Sequence, residues 1–413
     1  MHMDLRQDAQ RIMDAALKAA LPDTAVIKAL SEHSIKGEGK VVLVAIGKAA
    51  WQMAAAALNA MEGQVDGGVV ITKHGHSLGP LHPLQVFEAG HPVPDEHSLR
   101  ATQAALDAVS GLSEQDTVLF LVSGGGSALF EQPKVSLEEL KDITRQLLAA
   151  GCDIVETNTV RKRLSRVKGG RFAQACAPAS VFAVVLSDVL GDPLDMIASG
   201  PAYPDSSTRE QALDIIRRYG LRLSPQALEA MGEETPKELD RVTTRITGSV
   251  RQLCDAAENT ARALGYEPLV LTDTLRCQAR EAGSFLASIA QHHQGTARSL
   301  AFICGGETVV RVRGKGKGGR NQEIALAAVP GLATCQNTCL FSLGSDGTDG
   351  PTDAAGGYAD QNSAARFEEA GLDAQAMLDD NDAYHALKAV DGLIMTGPTG
   401  TNVNDVTVLL IKR

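Results

Sequence analysis

Short runs of β-branched and other apolar residues alternate with alanine-rich stretches through the first half of the chain. These runs lie at residues 41–46, 69–71, 118–122 and 181–186. Continuously apolar strands with helices between them are typical of a parallel sheet that is covered on both faces. The pattern therefore predicts an α/β fold with a doubly wound parallel sheet for this part of the chain.

A charged, proline-containing stretch at residues 224–241 interrupts this pattern, and we expect a domain boundary close to it. A second set of apolar runs follows, at 268–271, 300–303, 308–312, 340–343, 393–395 and 406–411. Only residues 304–307 separate two of these runs, and so short a connection allows a hairpin but no crossover helix. The second domain should therefore contain a mixed sheet, with 300–303 and 308–312 as antiparallel neighbours.

The composition limits the class of protein. Of the 413 residues, 44% are hydrophobic and 22% are charged, as in ordinary globular domains, and the formal net charge is −11. A negative protein repels polyanions, so we expect neither a nucleic acid nor an anionic membrane surface as a partner. Residues 1–22 read as an amphipathic helix rather than a signal peptide, and no apolar run reaches the ~18 residues of a membrane span. We therefore expect a cytoplasmic enzyme.

Five of the ten histidines lie in one stretch, but no cysteine or acidic side chain accompanies them at the spacing of a zinc site. We interpret them as loop or surface histidines and assign them no metal. They are His74, His76, His82, His91 and His97. The seven cysteines show no paired zinc spacing, which indicates reduced, buried thiols.

Gly47 and Lys48 follow the first apolar run and precede an alanine-rich helix. A helix N-terminus attracts anions and repels cations, so a lysine in the first helical turn indicates an anion bound beside it. A surface lysine whose ammonium reaches solvent is the alternative. We expect Lys48 to be catalytic, because its charge would neutralise a bound anion such as a phosphate.

A second loop, which we call the glycine loop, follows the run at 118–122. Its three consecutive glycines allow successive backbone N–H groups to converge on an anion, and two serine hydroxyls add further donors. The loop is predicted to bind phosphate, with a plain tight turn as the alternative. It consists of Ser123, Gly124, Gly125, Gly126 and Ser127.

A third loop, which we call the basic loop, spans residues 314–323 and fits the dinucleotide-binding spacing G-x-G-x-x-G. Its cations exceed what a pyrophosphate site made of backbone N–H groups needs, and they favour a phosphate tail or a phosphoryl group in transfer. We expect Arg320 to be catalytic, as a fork that grips the transferred phosphoryl group or another anionic group. The other residues predicted to bind the phosphates here are Lys315, Gly316, Lys317, Gly318, Gly319, Asn321 and Glu323.

Carboxylates follow two of the apolar runs, Asp188 and Asp192 after one, and Asp346 and Asp349 after another. A single aspartate in a glycine-rich turn is usually a turn residue that bonds its own backbone. Several at strand ends, opposite basic loops, suit Mg²⁺, which prefers carboxylate oxygens. We predict that Asp188 is catalytic and that the other three hold the metal, although the spacing leaves open which acid is the base.

Short motifs follow one another in a recognisable order along nearly the whole chain. They are Gly47–Ala50, Gly90–Asp95, Ser123–Leu129, Asn158–Lys162, Lys168–Gly170, Ser187–Val189, Ala198–Pro201, Gly305–Thr308, Gly318–Glu323, Asp346–Gly350, Thr352–Gly356 and Asn402–Asp405. Each motif is weak by itself, whereas their joint order is highly specific. In this order the chain resembles the glycerate 2-kinase family, whose C-terminal half is the MOFRL domain and some of whose members are named hydroxypyruvate reductases.

The resemblance implies ATP-dependent phosphorylation of D-glycerate at its 2-hydroxyl, with Mg²⁺, giving 2-phosphoglycerate and ADP. It also implies a Rossmann-like α/β/α domain over 1–235, a smaller mixed-sheet MOFRL domain over 236–413 and an active site in the cleft between them. Lys48 matches the family's active-site lysine in its G-K-A-A motif. Arg320 matches the arginine of its G-G-R-N-Q-E motif.

Two other functions stay open on the sequence. An NAD(P)H-dependent hydroxypyruvate reductase would use Gly314–Gly319 as its dinucleotide motif, although residues 330–340 offer no acid for the ribose at the usual spacing. A non-catalytic, phosphosugar-binding regulator would use the same anion loops for binding alone.

Overall fold

The computed structural model describes residues 5–33, 35, 39–187 and 194–413. The chain divides into two compact units. The first unit is Pro22–Thr247, and the second combines Gly248–Arg413 with the residues up to Leu21, which include helix α1 (Leu5–Ala19). Among the described residues, no helix is both long and apolar enough to cross a bilayer.

The first unit is built on a six-stranded sheet in the order β3-β2-β1-β4-β5-β6, and all neighbours pair in parallel. Its strands are β1 (Val41–Ile46), β2 (Gly67–Lys73), β3 (Leu84–Ala89), β4 (Thr117–Val122), β5 (Ser180–Val185) and β6 (Val242–Ile246). The strand order reverses between β1 and β4, and open α/β sheets bind ligands at the carboxyl ends of strands at such a switch point. The predicted doubly wound parallel sheet is confirmed.

Helices connect these strands. They are α2 (Pro22–Glu32), α3 (Ala50–Met61), α4 (Glu96–Ala108), α5 (Gly126–Leu129), α6 (Leu137–Ala149), α7 (Ile154–Arg163), α8 (Arg171–Cys176), a 3₁₀ turn (Ile197–Ser199), α9 (Arg209–Tyr219) and α10 (Pro225–Gly232). Helix α7 begins at a capping box, in which Asp153 accepts from the backbone N–H of Glu156 and the Glu156 side chain accepts in return. It packs into a helical core through Val160 and Leu164, which are fully buried. Cap and core together fix the helical face that α7 presents to the site described below.

The second unit has a six-stranded sheet in the order β11-β10-β9-β12-β8-β7. Its strands are β7 (Glu267–Leu275), β8 (Leu300–Gly306), β9 (Thr338–Gly344), β10 (Gly356–Asp360), β11 (Leu393–Ile394) and β12 (Asp405–Ile411). Strands β7 and β8 pair in parallel and the other neighbours are antiparallel, so the predicted mixed sheet is confirmed. Its helices, besides α1, are α11 (Val250–Ala263), α12 (Ala279–His292), α13 (Arg320–Leu332), α14 (Ser363–Glu369), α15 (Ala374–Asp379) and α16 (Ala383–Ala389).

The predicted hairpin between 300–303 and 308–312 is wrong. Strand β8 lies between β12 and β7, so both of its edges are already paired. Residues 308–312 therefore have no place beside it, and only Val309 forms an isolated bridge, with Gln278. The sheet is mixed because β12 returns antiparallel to β8.

The N-terminal helix belongs to the second unit, although the chain then passes through the whole first unit before returning. Helix α1 buries Ile12 and Met13, and Asp8 accepts hydrogen bonds from Tyr266 Oη at 2.8 Å and Lys412 Nζ at 2.9 Å. At the other junction, β6 completes the first sheet. The division of the structure therefore differs at both ends from the contiguous ranges 1–235 and 236–413.

Candidate functional site

Lys48 and the glycine loop meet at the switch point of the first sheet. Strand β1 ends at Ile46, and the backbone N–H of Lys48 donates to the carbonyl oxygen of Gly124 at 2.8 Å. Ser123, directly after β4, accepts the backbone N–H of Ala49 on its Oγ at 3.1 Å. Lys48 thus lies in the turn before α3 rather than in its first helical turn. Its Nζ has no hydrogen bond or ion pair among the described residues.

Gly125 brings the backbone close to two side chains. Its φ is +89°, in the left-handed region that favours glycine. A Cβ at this position would lie 3.0 Å from Cδ2 of His91 and 3.2 Å from Cγ of Lys48. The absence of a side chain therefore allows His91 and Lys48 to lie directly against the loop backbone.

His91 belongs to a loop, as expected, and is half-buried beside the glycine loop. Burial lowers the pKa of its imidazole below the ordinary value, and the positive charge of Lys48 lowers it further. The ring is therefore neutral at pH 7 and has one donor and one acceptor nitrogen. In the sequence, only the Gly90–Asp95 motif and the stretch of five histidines drew attention to this position.

Hydroxyl and amide groups meet at Ser127, the last residue of the glycine loop. Oγ of Ser127 lies 3.0 Å from Oγ of Ser199, which donates to Oδ1 of Asn158 at 3.2 Å. Ser199 has φ +62° and Ala198 has φ +52°, conformations that a non-glycine residue rarely adopts. Strained backbone of this kind is concentrated at functional sites in proteins. The structure thus brings Ser127 together with Asn158 and Ser199, to which the sequence assigned no role.

Lys168 fixes the carboxyl end of the glycine loop. Its Nζ donates to the carbonyl oxygens of Ser127 at 2.8 Å and Phe130 at 2.9 Å, and lies 3.4 Å from Oε2 of Glu131. Lys168 and Glu131 are fully buried, and burial lowers the pKa of Lys168 to about 8. Every acceptor that it uses is a group of the protein, so its contacts support the loop.

In the second unit, acids of the protein surround Arg320. Its Nε donates to Oδ2 of Asp405 at 2.5 Å and its Nη2 to Oδ1 at 3.0 Å, while Nη1 donates to Oε1 of Glu307 at 3.0 Å. Asp405 is buried, and burial raises the pKa of its carboxyl. The planar fork of Arg320 therefore forms the bidentate geometry we expected, but with Asp405 as its partner.

Asp349 caps the N-terminus of α13. Its carboxylate accepts the backbone N–H groups of Asn321 at 3.2 Å and Gln322 at 2.9 Å. A Cβ on Gly319 would lie 2.2 Å from Cγ of Asp349, so only glycine allows this approach. Burial raises the pKa of Asp349 to about 6, against the lowering effect of these hydrogen bonds. Both oxygens of Asp349 therefore already serve the helix, and its role as a metal ligand stays a prediction.

Most of the backbone N–H groups at the start of the basic loop already donate hydrogen bonds to other groups of the protein. Asn381 Oδ1 accepts the N–H groups of Arg313 and Gly314, Asp380 Oδ1 accepts that of Lys315 at 3.0 Å, and Asp382 Oδ1 accepts that of Lys317 at 3.0 Å. A dinucleotide site needs such donors free for the pyrophosphate and needs the loop directly after a strand. Strand β8 ends well before the loop, at Gly306. The geometry therefore gives no support to the dehydrogenase alternative.

The remaining predicted residues have local partners. Asn321 accepts from Ser342 Oγ at 2.5 Å, Glu323 is buried and accepts from Asn381 Nδ2 at 3.1 Å, and Asp346 accepts the backbone N–H of Thr348 at 2.9 Å. The described part of the chain contains no group of three or more His, Cys, Asp or Glu side chains suited to a metal. The predictions for Asp188 and Asp192 concern residues outside the described ones.

Comparison with known proteins places these elements in a family. A domain of unknown function (DUF4147) matches residues 8–232, and the MOFRL family matches residues 300–405. A D-glycerate 2-kinase of Thermotoga maritima is 50% identical over 98% of each chain, and a glycerate 2-kinase of Pyrococcus horikoshii is 40% identical over 99% of this chain and 98% of its own. A crystal structure of a glycerate kinase from Thermotoga maritima superposes with a TM-score of 0.95, at 50% identity over 99% of both chains. The chain belongs to the glycerate 2-kinase family, with a DUF4147 domain followed by a MOFRL domain.

Proposed function

We propose that this protein is a D-glycerate 2-kinase, which transfers the terminal phosphoryl group of ATP to the 2-hydroxyl of D-glycerate. The observation that carries the proposal is the 50% identity, over 98% of both chains, to a protein named D-glycerate 2-kinase. The geometry agrees with it, because the glycine loop lies at the switch point of the first sheet together with Lys48, whose ammonium has no partner among the described residues.

Lys48 and the glycine loop carry the phosphate chemistry in this proposal. Phosphoryl transfer depends mainly on positioning and on stabilising negative charge in the transition state. The backbone of Lys48 is fixed by its hydrogen bond to Gly124, which leaves its ammonium to neutralise phosphate oxygens. The neutral imidazole of His91, against Gly125, supplies either a donor or an acceptor at the same place.

ATP as donor and Mg²⁺ as its companion ion stay predictions. When bound, Mg²⁺ would neutralise the charge of the phosphates. Asp346 and Asp349 stay the predicted ligands among the described residues, and each of them already accepts a backbone N–H. Binding of phosphates by the basic loop also stays a prediction, and it would fall to the side chains of Lys315 and Lys317, since the N–H groups of both residues are engaged.

The reaction is tested by incubating the protein with ATP, Mg²⁺ and D-glycerate and following the products by ³¹P NMR, which separates the 2- and 3-phosphoglycerates. We expect 2-phosphoglycerate and ADP in equal amounts. The 3-phosphate as product would contradict the proposed position of transfer, and absence of any phosphorylated product would contradict the kinase itself. Oxidation of NAD(P)H with hydroxypyruvate, in proportion to protein, would establish the reductase instead. Tight binding of phosphosugars without turnover would establish the regulator.

A further inference from the structure

The last turn of α7 carries three consecutive cations, which the structure neutralises unequally. Lys162 pairs with Asp205 at 3.0 Å, and Arg163 pairs with Glu234 at 2.9 Å. Arg161, in contrast, forms no ion pair with any residue that the structure describes. Charged groups that are removed from water usually have an opposite charge beside them, as Lys162 and Arg163 do. Arg161 is half-buried and has no such charge among the described residues, so its position needs another explanation.

The guanidinium of Arg161 lies against the glycine loop. Its Nη2 donates to the carbonyl oxygen of Ser127 at 3.4 Å, the one hydrogen bond it makes with the described residues. Its Nε is buried and has no partner there. A buried donor without an acceptor costs about 1–3 kcal/mol, and more for a charged group. The side chain is therefore held at the loop although the described residues offer it little in return.

The groups beside Arg161 are those that recognise an alcohol. Asn158 lies one helical turn earlier on the same face of α7, since residues three apart are neighbours on a helix. Its Oδ1 accepts a hydrogen bond from Oγ of Ser199 at 3.2 Å, and that Oγ lies 3.0 Å from Oγ of Ser127. A guanidinium next to this chain of hydroxyl and amide groups matches a molecule that bears an anion beside a hydroxyl.

We propose that Arg161 binds the carboxylate of D-glycerate and is the residue that restricts the enzyme to hydroxy acids. The inference rests on the proposed kinase function. A guanidinium presents a planar pair of N–H donors that fits a carboxylate through two parallel hydrogen bonds. Asn158 and Ser199 then lie where the hydroxyl next to that carboxylate is held.

Two observations favour a carboxylate here over a phosphate of the nucleotide. The compact cation Lys48 lies against Gly125 of the glycine loop, and in the proposed function it already supplies the charge that a phosphate needs. The alternative holder of the carboxylate, Arg320, has its fork occupied by both oxygens of buried Asp405. Removing Arg320 from that pair would leave a buried acid without its partner, which is strongly unfavourable.

The inference is tested with Arg161→Gln and Arg161→Lys, with Arg166→Gln as the matched control on an exposed arginine of the same segment. We expect Arg161→Gln to raise the KM for D-glycerate at least about thirtyfold and Arg161→Lys about tenfold, because a lysine presents a point charge instead of a fork. The KM for ATP should change less than about twofold in both. Arg166→Gln should leave both constants unchanged.

Two further measurements make the test independent of turnover and of folding. Calorimetric titration with D-glycerate alone should show binding by the wild-type protein and loss of binding in Arg161→Gln, at an unchanged melting temperature. Uncharged glyceramide should be a poor substrate of the wild-type enzyme and should lose little further activity in Arg161→Gln. A rise in the KM for ATP, or an unchanged KM for D-glycerate in an active enzyme, would overturn the inference while the kinase function stands. Binding of D-glycerate that depends on Arg161, without phosphorylation, would support the inference and contradict the kinase function.

Discussion

Lys48 and Lys315 are two lysines of glycine-rich loops with very different surroundings. Lys48 lies against Gly125 at the switch point, whereas Lys315 is exposed and its loop is held by Asp380. We expect Lys48→Ala to lower kcat/KM at least about a hundredfold, roughly 3 kcal/mol of transition-state stabilisation. Lys315→Ala should lower kcat/KM far less, by at most about tenfold, because its side chain is exposed. Steady-state kinetics of both variants, with melting temperatures as the folding control, measure this difference, and equal losses would refute the role given to Lys48.

Arg320 is the residue for which the structure changes the expected outcome of a substitution. If Arg320 gripped only a ligand, Arg320→Lys would reduce activity and leave the melting temperature alone. The structure instead pairs the fork with buried Asp405, and a lysine replaces two parallel hydrogen bonds by one. We therefore expect Arg320→Lys to lower the melting temperature by several degrees, corresponding to about 1–3 kcal/mol. Differential scanning calorimetry measures this, and an unchanged melting temperature together with a large loss of kcat/KM would restore the ligand-gripping role.

The site is predictable from sequence where one strand leads directly into one loop. Lys48 and the glycine loop each follow an apolar run, so their place at the carboxyl edge of the sheet follows from local pattern alone. Arg161, Asn158 and Ser199 come from α7 and from the turn at Ile197–Ser199, and only tertiary packing brings them to Ser127. No local periodicity carries that information. In the sequence, the motifs Asn158–Lys162 and Ala198–Pro201 indicated only the resemblance to the family.

Among the elements, α13 has an N-terminus whose stability depends on pH. The pKa of Asp349 in the folded protein is about 6, above its ordinary value of 3.8. A carboxyl group with a raised pKa contributes its full stability below pH 3.8, and that contribution is lost as the pH rises through 6. The free energy of unfolding decreases by at most about 3 kcal/mol over this pH range.

We expect this dependence to disappear in Asp349→Asn, whose amide does not ionise. Thermal unfolding between pH 4 and pH 7.5 should show the wild-type protein losing melting temperature relative to the variant as the pH increases. The slope is the readout, because the lost cap lowers the stability of the variant at every pH. Parallel curves for the two proteins across this range would show that Asp349 is ionised throughout.

The hydrophobic pattern did not predict strands β3, β6 and β10, because none of them contains a long continuous run of apolar residues. Strands β3 and β6 form the two edges of the first sheet, where half-exposed side chains interrupt the apolar run. Strand β10 begins with two glycines, which strand propensity disfavours. Its backbone passes so close to β9 that a Cβ on Gly356 would lie 1.9 Å from the carbonyl oxygen of Ser342. The apolar segment 308–312 shows the converse, because a hairpin with β8 needs an unpaired edge of that strand and both edges are taken by β12 and β7.

At the scale of the whole molecule, the second unit depends on a helix that precedes the first unit in the chain. Ile12 of α1 is fully buried, whereas Ile27 of α2 is 51% exposed. We expect Ile12→Ala to cost about 2–5 kcal/mol and Ile27→Ala less than about 0.5 kcal/mol. Hydrogen exchange should locate the loss: amides of β9, β12 and α11 should lose protection in Ile12→Ala, while those of β1 and β4 keep theirs. Equal loss in both sheets would show that the two units unfold as one.

The place of α1 has a consequence in time. A ribosome makes this helix before the first unit and makes β12, which carries its unit to Ile411, after it. At about 5–20 residues per second, roughly 20–80 s separate the two events. Helix α11, against which α1 packs, is made only after the whole first unit, so until then α1 lacks the partners of its own unit. The unit made in one piece is therefore able to fold while the split unit is still being made, and the split unit is complete only once β12 has followed.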